Sequence, residues 1–347
     1  MPKRRARGGK TADAPQRPAR YPTAMIIAEK LGVSKSTVSR ALKNDTSISE
    51  TVRRKVQRLA DEIGYRPNAA ARGLITRKSG IVGLIVGESQ NPFYSEQLDR
   101  LLIHLAERNL QLMLFRVPDG GSVGDVIPVV LQYQLDACIL ASVSVTTQAD
   151  RMLAAQELPT VLLNRVPGRS HGSAVLCNNM DGGRLIGEHL LDCGASRIAF
   201  IAGPENASTS IEREEGLRLS LEAAGKTLFD KAPGDYSFDG GAAAMRALLA
   251  NPQLPDAVFA ANDIMALGAI DAMRSAGLHV PHDVLVAGFD DITAARWPGY
   301  DLTTVAQPVD AMLSRVLDII KNADAGFANG ETIYLNGKLQ IRGSTRV

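Results

Sequence analysis

Side chains suited to contacting DNA recur at helical spacing between residues 34 and 43. Lys and Arg donate hydrogen bonds to guanine O6 and N7, and short hydroxyls let a helix approach phosphates and base edges. The polar face carries Lys35, Ser36, Ser39, Arg40 and Lys43, and the apolar stripe consists of Val38, Ala41 and Leu42. This pattern predicts a helix that packs on its apolar face and enters a major groove on the other, with Lys35, Ser36 and Arg40 reading bases.

A second group of polar side chains follows the apolar, β-branched runs of the later sequence. The group comprises Asn91, Asn164, Arg165, Asn262, Asp263, Asp290 and Asp291. Ligands of helix-covered parallel sheets bind beyond the carboxyl ends of strands, so we expect these groups to converge on one cleft. Amides and carboxylates bond hydroxyls in fixed directions, which suits a carbohydrate or another hydroxylated ring. As an alternative, each asparagine or aspartate only caps the helix that follows it.

The sequence around the DNA-reading helix predicts a helix-turn-helix. Ala28 is small enough for two helices to cross closely, Gly32 can adopt the positive φ of the turn, and Ser34 can cap the second helix. A third helix begins after a cap at Ser49 and ends at Gly64. Its apolar stripe, which closes the small core, consists of Val52, Val56, Leu59, Ala60 and Ile63.

The charge distribution supports the same interpretation. The whole chain of 347 residues carries a net charge of +2, but residues 1–78 hold 19 Lys and Arg against 6 Asp and Glu, a net of +13. A compact basic block on an acidic body is typical of a nucleic-acid binder. Residues 1–22 form a basic tail predicted to be disordered, and both a solubilising role and a phosphate-seeking role remain open.

Residues from 80 onward alternate β-branched runs with amphipathic segments, as in parallel sheets covered by helices. The predicted strands are 81–86, 112–115, 137–141 and 160–163 in a first lobe, and 197–201, 257–261 and 284–289 in a second. The predicted fold class is a small all-α helix-turn-helix head plus an α/β body of two doubly wound parallel-sheet lobes. No apolar run reaches the eighteen residues of a membrane span, and no apolar stretch follows the N-terminal charges, so we expect a cytoplasmic protein.

Several chemistries are not expected from this sequence. Cys138, Cys177 and Cys193 match neither a zinc site nor a redox pair, and we interpret them as buried thiols. The segment around Ser170 formally matches a nucleophile elbow but lacks the preceding strand that an elbow requires. There is no phosphate-binding loop, dinucleotide fingerprint or metal-spaced His pair, so we predict no catalytic residue, no cofactor and no metal.

Two motifs resemble the LacI/GalR family of bacterial repressors: Gly-Val-Ser-Lys-Ser-Thr-Val-Ser-Arg-Ala-Leu from Gly32, and Gly-Tyr-Arg-Pro-Asn-Ala-Ala-Ala-Arg-Gly-Leu from Gly64. The resemblance extends through essentially the whole chain after residue 22. It implies a hinge helix in which Leu74 wedges into the minor groove and the small Ala71 lets two such helices approach. The predicted DNA contacts are Thr23, Ser34, Lys35, Ser36, Thr37, Ser39, Arg40, Lys43, Tyr65, Asn68, Ala71, Arg72 and Leu74.

The resemblance also implies a fold similar to periplasmic sugar-binding proteins, with an effector between the lobes. The predicted effector contacts are Asn91, Phe93, Asn164, Arg165, Arg213, Tyr236, Asn262, Asp290 and Gln307. We expect Arg213 and Asp290 to be exposed in the cleft. Gly87 to Gln90 and Asn178 depart from the family pattern, and Arg165 with Arg213 would tolerate a carboxylate or phosphate, so a sugar, a sugar acid and a phosphosugar all remain open.

These observations predict a transcription regulator, most simply a repressor, that binds a near-palindromic operator as a homodimer and responds to a small-molecule effector. The expected domains are a tail (1–22), a helix-turn-helix domain (23–66), a hinge helix and linker (67–79) and a two-lobed effector-binding and dimerisation domain (80–347). The main alternative is a solute-binding receptor for carbohydrate transport, which would need a signal peptide and no helix-turn-helix. A sugar-modifying enzyme would need paired catalytic groups that the sequence does not offer.

Overall fold

The computed structural model describes residues 22–66, 78–87, 91–118, 121–141, 147–155, 157–165, 172–323 and 330–346. The chain divides into two compact units, Met1–Ile75 and Thr76–Val347, called here the head and the body. The predicted hinge helix, the elbow-like segment and the tail before residue 22 lie outside the described residues. The same holds for four of the predicted DNA contacts: Asn68, Ala71, Arg72 and Leu74.

The described part of the head, residues 22–66, contains three helices, α1 (Ala24–Leu31), α2 (Lys35–Leu42) and α3 (Glu50–Glu62). Gly32 ends α1 with a φ of 63°, and the Ser34 hydroxyl accepts a hydrogen bond from the Thr37 amide, so both predicted turn features are confirmed. Ser49 stands at the N-cap of α3, but its side chain makes no capping hydrogen bond. The predicted Ser49 cap is therefore correct in position and wrong in mechanism.

The apolar stripes predicted from helical spacing form the core of the head. Ile27, Val38, Ala41, Val56 and Ala60 are buried there. Partly buried side chains pack around them, including Leu42, Val52, Leu59, Ile63 and Tyr65. The charged side chains of α2 consequently face solvent.

The first lobe of the body is a six-stranded sheet in the order β11-β5-β4-β3-β1-β2, and all its paired strands are parallel. Its strands are β1 (Ile81–Val86), β2 (Gln111–Arg116), β3 (Ala137–Ala141), β4 (Thr160–Leu163), β5 (Ser173–Cys177) and β11 (Thr332–Leu335). Its helices are α4 (Pro92–Glu107), α5 (Val123–Val130) and α6 (Thr147–Ala154). Three predicted strands, β1, β3 and β4, have the predicted bounds.

The second lobe has the strand order β12-β10-β9-β8-β6-β7, in which only the β10–β12 pair is antiparallel among the described strands. Its strands are β6 (Ile198–Ala202), β7 (Asp230–Pro233), β8 (Ala257–Ala260), β9 (Leu285–Asp290), β10 (Thr303–Ala306) and β12 (Lys338–Gln340). Its helices are α7 (Asn179–Asp192), α8 (Ser208–Ala223), α9 (Phe238–Leu249) and α10 (Asp263–Ser275). The predicted fold class is confirmed, with one antiparallel edge strand added.

The chain passes between the lobes after β5, after β10 and after β11. Helix α11 (Val309–Asn322) follows β10 of the second lobe but packs on α4, β4 and β5 of the first. Helices α7 and α8 approach closely through Gly183 and Gly216, where an added Cβ would collide with the backbone oxygens of Arg213 and Met180. This close approach sets the position of Arg213 relative to α7.

The three cysteines of the body differ in burial. Cys138 and Cys177 are buried, and burial raises the pKa of each thiol to about 12. Cys193 is only partly buried, so the prediction of a third buried thiol is wrong: it lies just beyond the end of α7, beside His189 and Thr345. None of the described helices is long and apolar enough to span a bilayer.

Candidate effector cavity and DNA-facing helix

A cavity in the body lies where the carboxyl ends of strands from both lobes meet. Its wall consists of Asn91, Phe93, Tyr94, Asn164, Cys177, Asn179, Thr209, Arg213, Tyr236, Asp290 and Gln307. The enclosed volume is about 10 Å³, which is room for about one water molecule. The lobes are therefore closed on each other, and a larger ligand requires them to separate.

Asn91 connects the two lobes. It stands at the N-cap of α4, where its Oδ1 accepts a hydrogen bond from the Phe93 amide at 3.1 Å. Its Nδ2 donates to Asp290 Oδ2 at 2.9 Å, across the cavity. Asn91 therefore both caps α4 and lies in the cleft, because its side-chain oxygen and nitrogen contact different partners.

Asp290 is the acceptor at the centre of the cavity wall. It ends β9 with a φ of 124°, and besides Asn91 it accepts a hydrogen bond from Gln307 Nε2 at 2.7 Å. Burial raises the pKa of Asp290, against the opposing influence of Arg213 and the two amide donors. Its exposed fraction is 5%, so the expectation of an exposed carboxylate is wrong: the closed lobes and the Arg213 pair remove it from solvent.

Arg213 is also buried, with 4% of its surface exposed, and the expectation of a free arginine in the cleft is wrong for the same reason. Its Nε donates to Asn179 Oδ1 at 2.9 Å, and its Nη1 donates to the Ala261 carbonyl at 2.5 Å. Its Nη2 lies 3.5 Å from Asp290 Oδ1. The guanidinium carbon lies 3.7 Å from the centroid of the Phe289 ring, so one face of the cation is covered.

Backbone strain is concentrated around the cavity. Asn164 has a φ of 72° and exchanges two side-chain amide hydrogen bonds with Gln97, at 2.7 and 3.3 Å. Tyr236 has a φ of 65°, and its hydroxyl lies 2.8 Å from that of Thr209. Together with Asp290, three wall residues hold conformations that non-glycine residues rarely adopt, and such strain is typical of ligand-binding sites.

Two predicted effector residues lie outside the cavity wall. Asn262 is fully buried at the N-cap of α10, where its Oδ1 accepts a hydrogen bond from the Met265 amide. Asn262 therefore caps the helix, as the alternative interpretation expected. Its Nδ2 is buried without a hydrogen-bond partner. Arg165 places its guanidinium carbon 5.7 Å from the centroid of the Tyr236 ring, and its buried Nε has no hydrogen-bond partner.

Asp263, which follows Asn262, supports the loop that carries Asp290. Its Oδ2 accepts from the Ile292 amide at 2.9 Å, and its Oδ1 lies 2.5 Å from the Thr304 hydroxyl. No described cation pairs with this fully buried side chain. Burial, reinforced by the nearby Asp290 carboxylate, raises the pKa of Asp263 to about 8.

The sequence-based interpretation missed four wall residues: Tyr94, Cys177, Asn179 and Thr209. Cys177 and Asn179 flank the end of β5, so the strand-end rule would have found them if β5 had been counted as a strand of the first lobe. Thr209 lies in the first turn of α8, and only its spacing to Arg213, one helical turn away, links it to the site.

In the head, the predicted DNA-facing set is exposed along one side of α2. Lys35, Ser36, Ser39, Arg40 and Lys43 are exposed, whereas Val38 and Ala41 are buried. Ser34 and Thr37 are occupied with each other, since their hydroxyls lie 2.9 Å apart in addition to the capping bond. Thr23 is exposed before α1, and Tyr65 is half-buried against the head core.

The head is a helix-turn-helix with a basic outer face, and the body encloses a polar cavity between its two sheets. This combination is that of a ligand-responsive transcription regulator. The model described as bacterial regulatory proteins of the lacI family matches residues 27–68, and the model described as a periplasmic binding protein-like domain matches residues 188–345. Among the described residues, no group of His, Cys, Asp and Glu side chains is arranged to hold a metal ion.

Known proteins resemble this chain over nearly its whole length. The ribose operon repressor of Escherichia coli K12 is 34% identical over 299 residues, covering 85% of this chain and 90% of the repressor. The structure of a complex of the transcriptional regulator CelR with cellobiose matches with a TM-score of 0.70 and 31% identity, covering 93% of this chain and 99% of that one. A lac repressor dimer bound to operator shares the fold, with a TM-score of 0.86 at 24% identity over 94% of this chain and 100% of that one. This chain therefore belongs to the LacI family of bacterial regulatory proteins.

Proposed function

We propose that the chain is a transcriptional repressor that binds operator DNA through α2 and loses or gains operator affinity when a small molecule binds in the cavity. The observation that carries this proposal is the joint construction of the cavity wall. Asn91 comes from the first lobe and Asp290 from the second, and they meet directly at 2.9 Å. A ligand inserted between them changes how the lobes face each other, which is the differential contact that an allosteric effector needs.

For the DNA half, Lys35, Ser36 and Arg40 are the proposed base readers, with the remaining predicted residues contacting phosphate and sugar. Ser34 is proposed to act mainly by capping α2, which directs the first-turn amides and side chains toward the DNA. Tyr65 is proposed to contact DNA with its exposed part while its ring packs on the head. The predicted roles of Asn68, Ala71, Arg72 and Leu74 in a hinge helix remain part of the same proposal.

For the effector half, the proposed contacts are those predicted residues that line the cavity, together with Tyr94, Asn179 and Thr209. Arg165 and Asn262 are proposed to reach the effector only when the lobes separate. The lac repressor structure contains a dimer on its operator, and we propose that this chain is likewise a homodimer on a near-palindromic site. We also propose the domain boundaries predicted from the sequence and a cytoplasmic location.

No enzymatic activity is proposed. The named relatives are regulators. Cys177, the only thiol among the described wall residues, has a pKa raised to about 12 by burial and is therefore not a thiolate nucleophile near neutral pH. Asp290 and Arg213 are both held by hydrogen bonds and ion pairing with neighbouring groups. We interpret these fixed side chains as groups that recognise a ligand. A transport receptor with the same body would not require the basic face of α2.

The test is the selection of duplex DNA from a randomised pool by the full-length chain. We expect enrichment of an inverted repeat, because each half is read by one head of the dimer. The Arg40→Ala variant should fail to enrich the same sequence. Recovery of sequences without an inverted repeat, or equal enrichment by the variant, would contradict the proposal.

A further inference from the structure

We propose that the head carries a second DNA-binding surface, a basic groove between α1 and α3 that holds the backbone of a second duplex while α2 contacts the operator. The groove is lined by the end of α1, at Lys30 and Leu31, and by one side of α3 from Glu50 to Glu62. Its volume is about 750 Å³, and none of the described residues that line it belongs to α2. The inference therefore goes beyond the operator contact proposed for α2.

The helix α2 carries only part of the positive charge of the head. Residues 22–66 hold nine Lys and Arg against five Asp and Glu. Three of these cations lie on the polar face of α2. Four others are exposed and line the groove: Lys30, Arg54, Lys55 and Arg58. The groove thus contains more positive side chains than the face that we assign to the operator.

The carboxylates of the groove lie at its two ends. Glu50 and Glu62 are the first and last residues of α3. Glu50 pairs with Arg54, and both side chains of this pair remain largely exposed. Among the described residues, no carboxylate forms an ion pair with the other three groove cations. Exposed cations of this kind bind a polyanion, because each phosphate that they contact releases condensed counterions.

The groove and the operator-facing side of α2 lie on different sides of the head. Gln57 of α3 donates a hydrogen bond to Asn44, just beyond α2, at 2.7 Å, so this side of α3 faces the end of α2. Lys55 stands two residues earlier, which places it about 160° around the axis of α3 from Gln57. A duplex bound along α2 therefore leaves the far side of α3 available to a second duplex.

The spacing of the groove cations suits a phosphate backbone. Arg54 and Arg58 are one helical turn apart, about 6 Å along the axis of α3. Phosphates follow one another at about 3.4 Å along each strand of a duplex, so the two arginines can contact phosphates two nucleotides apart. Lys30 adds a cation from α1. Contacts to phosphate alone carry no sequence information, so we expect this surface to bind duplexes of any sequence.

The test measures capture of a second duplex by the full-length chain on its selected operator. The operator duplex is immobilised on beads, saturated with the chain, washed, and incubated with a labelled duplex of unrelated sequence. Both halves of the inverted repeat are then occupied, so captured duplex is held by a surface other than α2. We expect the labelled duplex to be retained at low salt and released as the salt concentration rises.

Lys55→Gln/Arg58→Gln removes two groove cations, and glutamine preserves the helix propensity of α3. This variant should capture the second duplex at least about tenfold more weakly, with its operator affinity retained. The slope of log affinity for the second duplex against log salt should fall by about 1.8, or about 0.9 for each lost phosphate contact. Arg315→Gln/Lys321→Gln removes the same charge from exposed positions of α11 and is the matched control, which should capture normally.

Three results would overturn the inference. Unchanged capture by Lys55→Gln/Arg58→Gln would show that another basic segment holds the second duplex. No capture by the unsubstituted chain would show that the groove does not bind a duplex, whether it is only a solvated face or serves an acidic protein. Loss of operator affinity together with capture would show that the groove contacts the operator itself. Occupancy of the immobilised operator is measured before the labelled duplex is added, which keeps failure of the proposed function distinct from failure of this inference.

Discussion

Asp263→Asn is expected to increase the free energy of unfolding of the body relative to that of the unsubstituted chain, by an amount that grows as the pH rises from 5 to 6.5. Asp263 is fully buried, contacts the Thr304 hydroxyl and the Ile292 amide, and has no described cation beside it. An asparagine has the same shape, can accept from Ile292 and can donate to Thr304, whose hydroxyl accepts as well as donates. The substitution therefore removes the titration and keeps the hydrogen bonds.

The magnitude follows from the raised pKa of Asp263, about 8 against an ordinary value of 3.8. Between these values the unfolded chain releases the proton and the folded chain retains it, so the folded state binds more protons. Stability is then full below the unfolded pKa and falls by about 1.4 kcal/mol for each pH unit until the folded pKa is reached. From pH 5 to 6.5, this one group costs about 2 kcal/mol, and the Asp263→Asn variant has no such cost because its amide does not titrate.

Urea denaturation at pH 5, 5.5, 6 and 6.5 measures the difference. The chain contains a single tryptophan, Trp297, which lies seven residues beyond Asp290 and reports unfolding of the second lobe by fluorescence. The free energy of unfolding of the variant minus that of the unsubstituted chain should rise by about 2 kcal/mol across this range. A difference that stays constant with pH would show that Asp263 ionises normally in the folded body, and would refute the reasoning.

Three further substitutions test other parts of the structure. Arg40→Ala should weaken binding of the selected duplex by about fivefold to 150-fold, the worth of a bidentate base contact, in a fluorescence anisotropy titration. Small-molecule binding to the body should be retained, and loss of both activities would show that the roles of head and body are not separable. Ser34→Ala should destabilise the head by about 1 kcal/mol in chemical denaturation, because the Thr37 amide loses its acceptor, and an unchanged stability would disprove the cap. Gly203→Ala should abolish the rise in melting temperature that a small molecule bound in the cavity produces, because the added Cβ would collide with the Tyr236 ring. A normal rise would show that this ring is not part of the site.

Features set by local sequence were predictable. The turn at Gly32, the cap at Ser34 and the inward position of Val38 depend on neighbours within one or two helical turns. The strands β1, β3 and β4 were found because each is a short, nearly continuous apolar run, as parallel strands buried on both faces are. Edge strands such as β7 and β12 were missed, since one side of each faces solvent and their sequences, Asp-Lys-Ala-Pro and Lys-Leu-Gln, are not apolar runs.

The contacts inside the cavity were less predictable because they join distant parts of the chain. The residue types of Asn91, Arg213 and Asp290 indicated a polar site, but their mutual pairing depends on closure of the lobes and on the approach of α7 to α8 through Gly183. For Asn262 the strand-end rule predicted a position in the cleft, yet its side-chain Oδ1 caps α10. A strand end predicts that a residue is near a site, and only the packing decides which atoms face the ligand.

Control of DNA binding by occupancy of the cavity is tested most directly by one linkage measurement. The affinity of the full-length chain for its selected inverted-repeat duplex is measured with and without a saturating amount of a small molecule that raises the melting temperature of the chain in a thermal-shift screen. We expect a change of about fivefold to 150-fold in either direction, the usual range of allosteric coupling, and its disappearance in Asp290→Asn. The same operator affinity with and without the bound small molecule would contradict this mechanism.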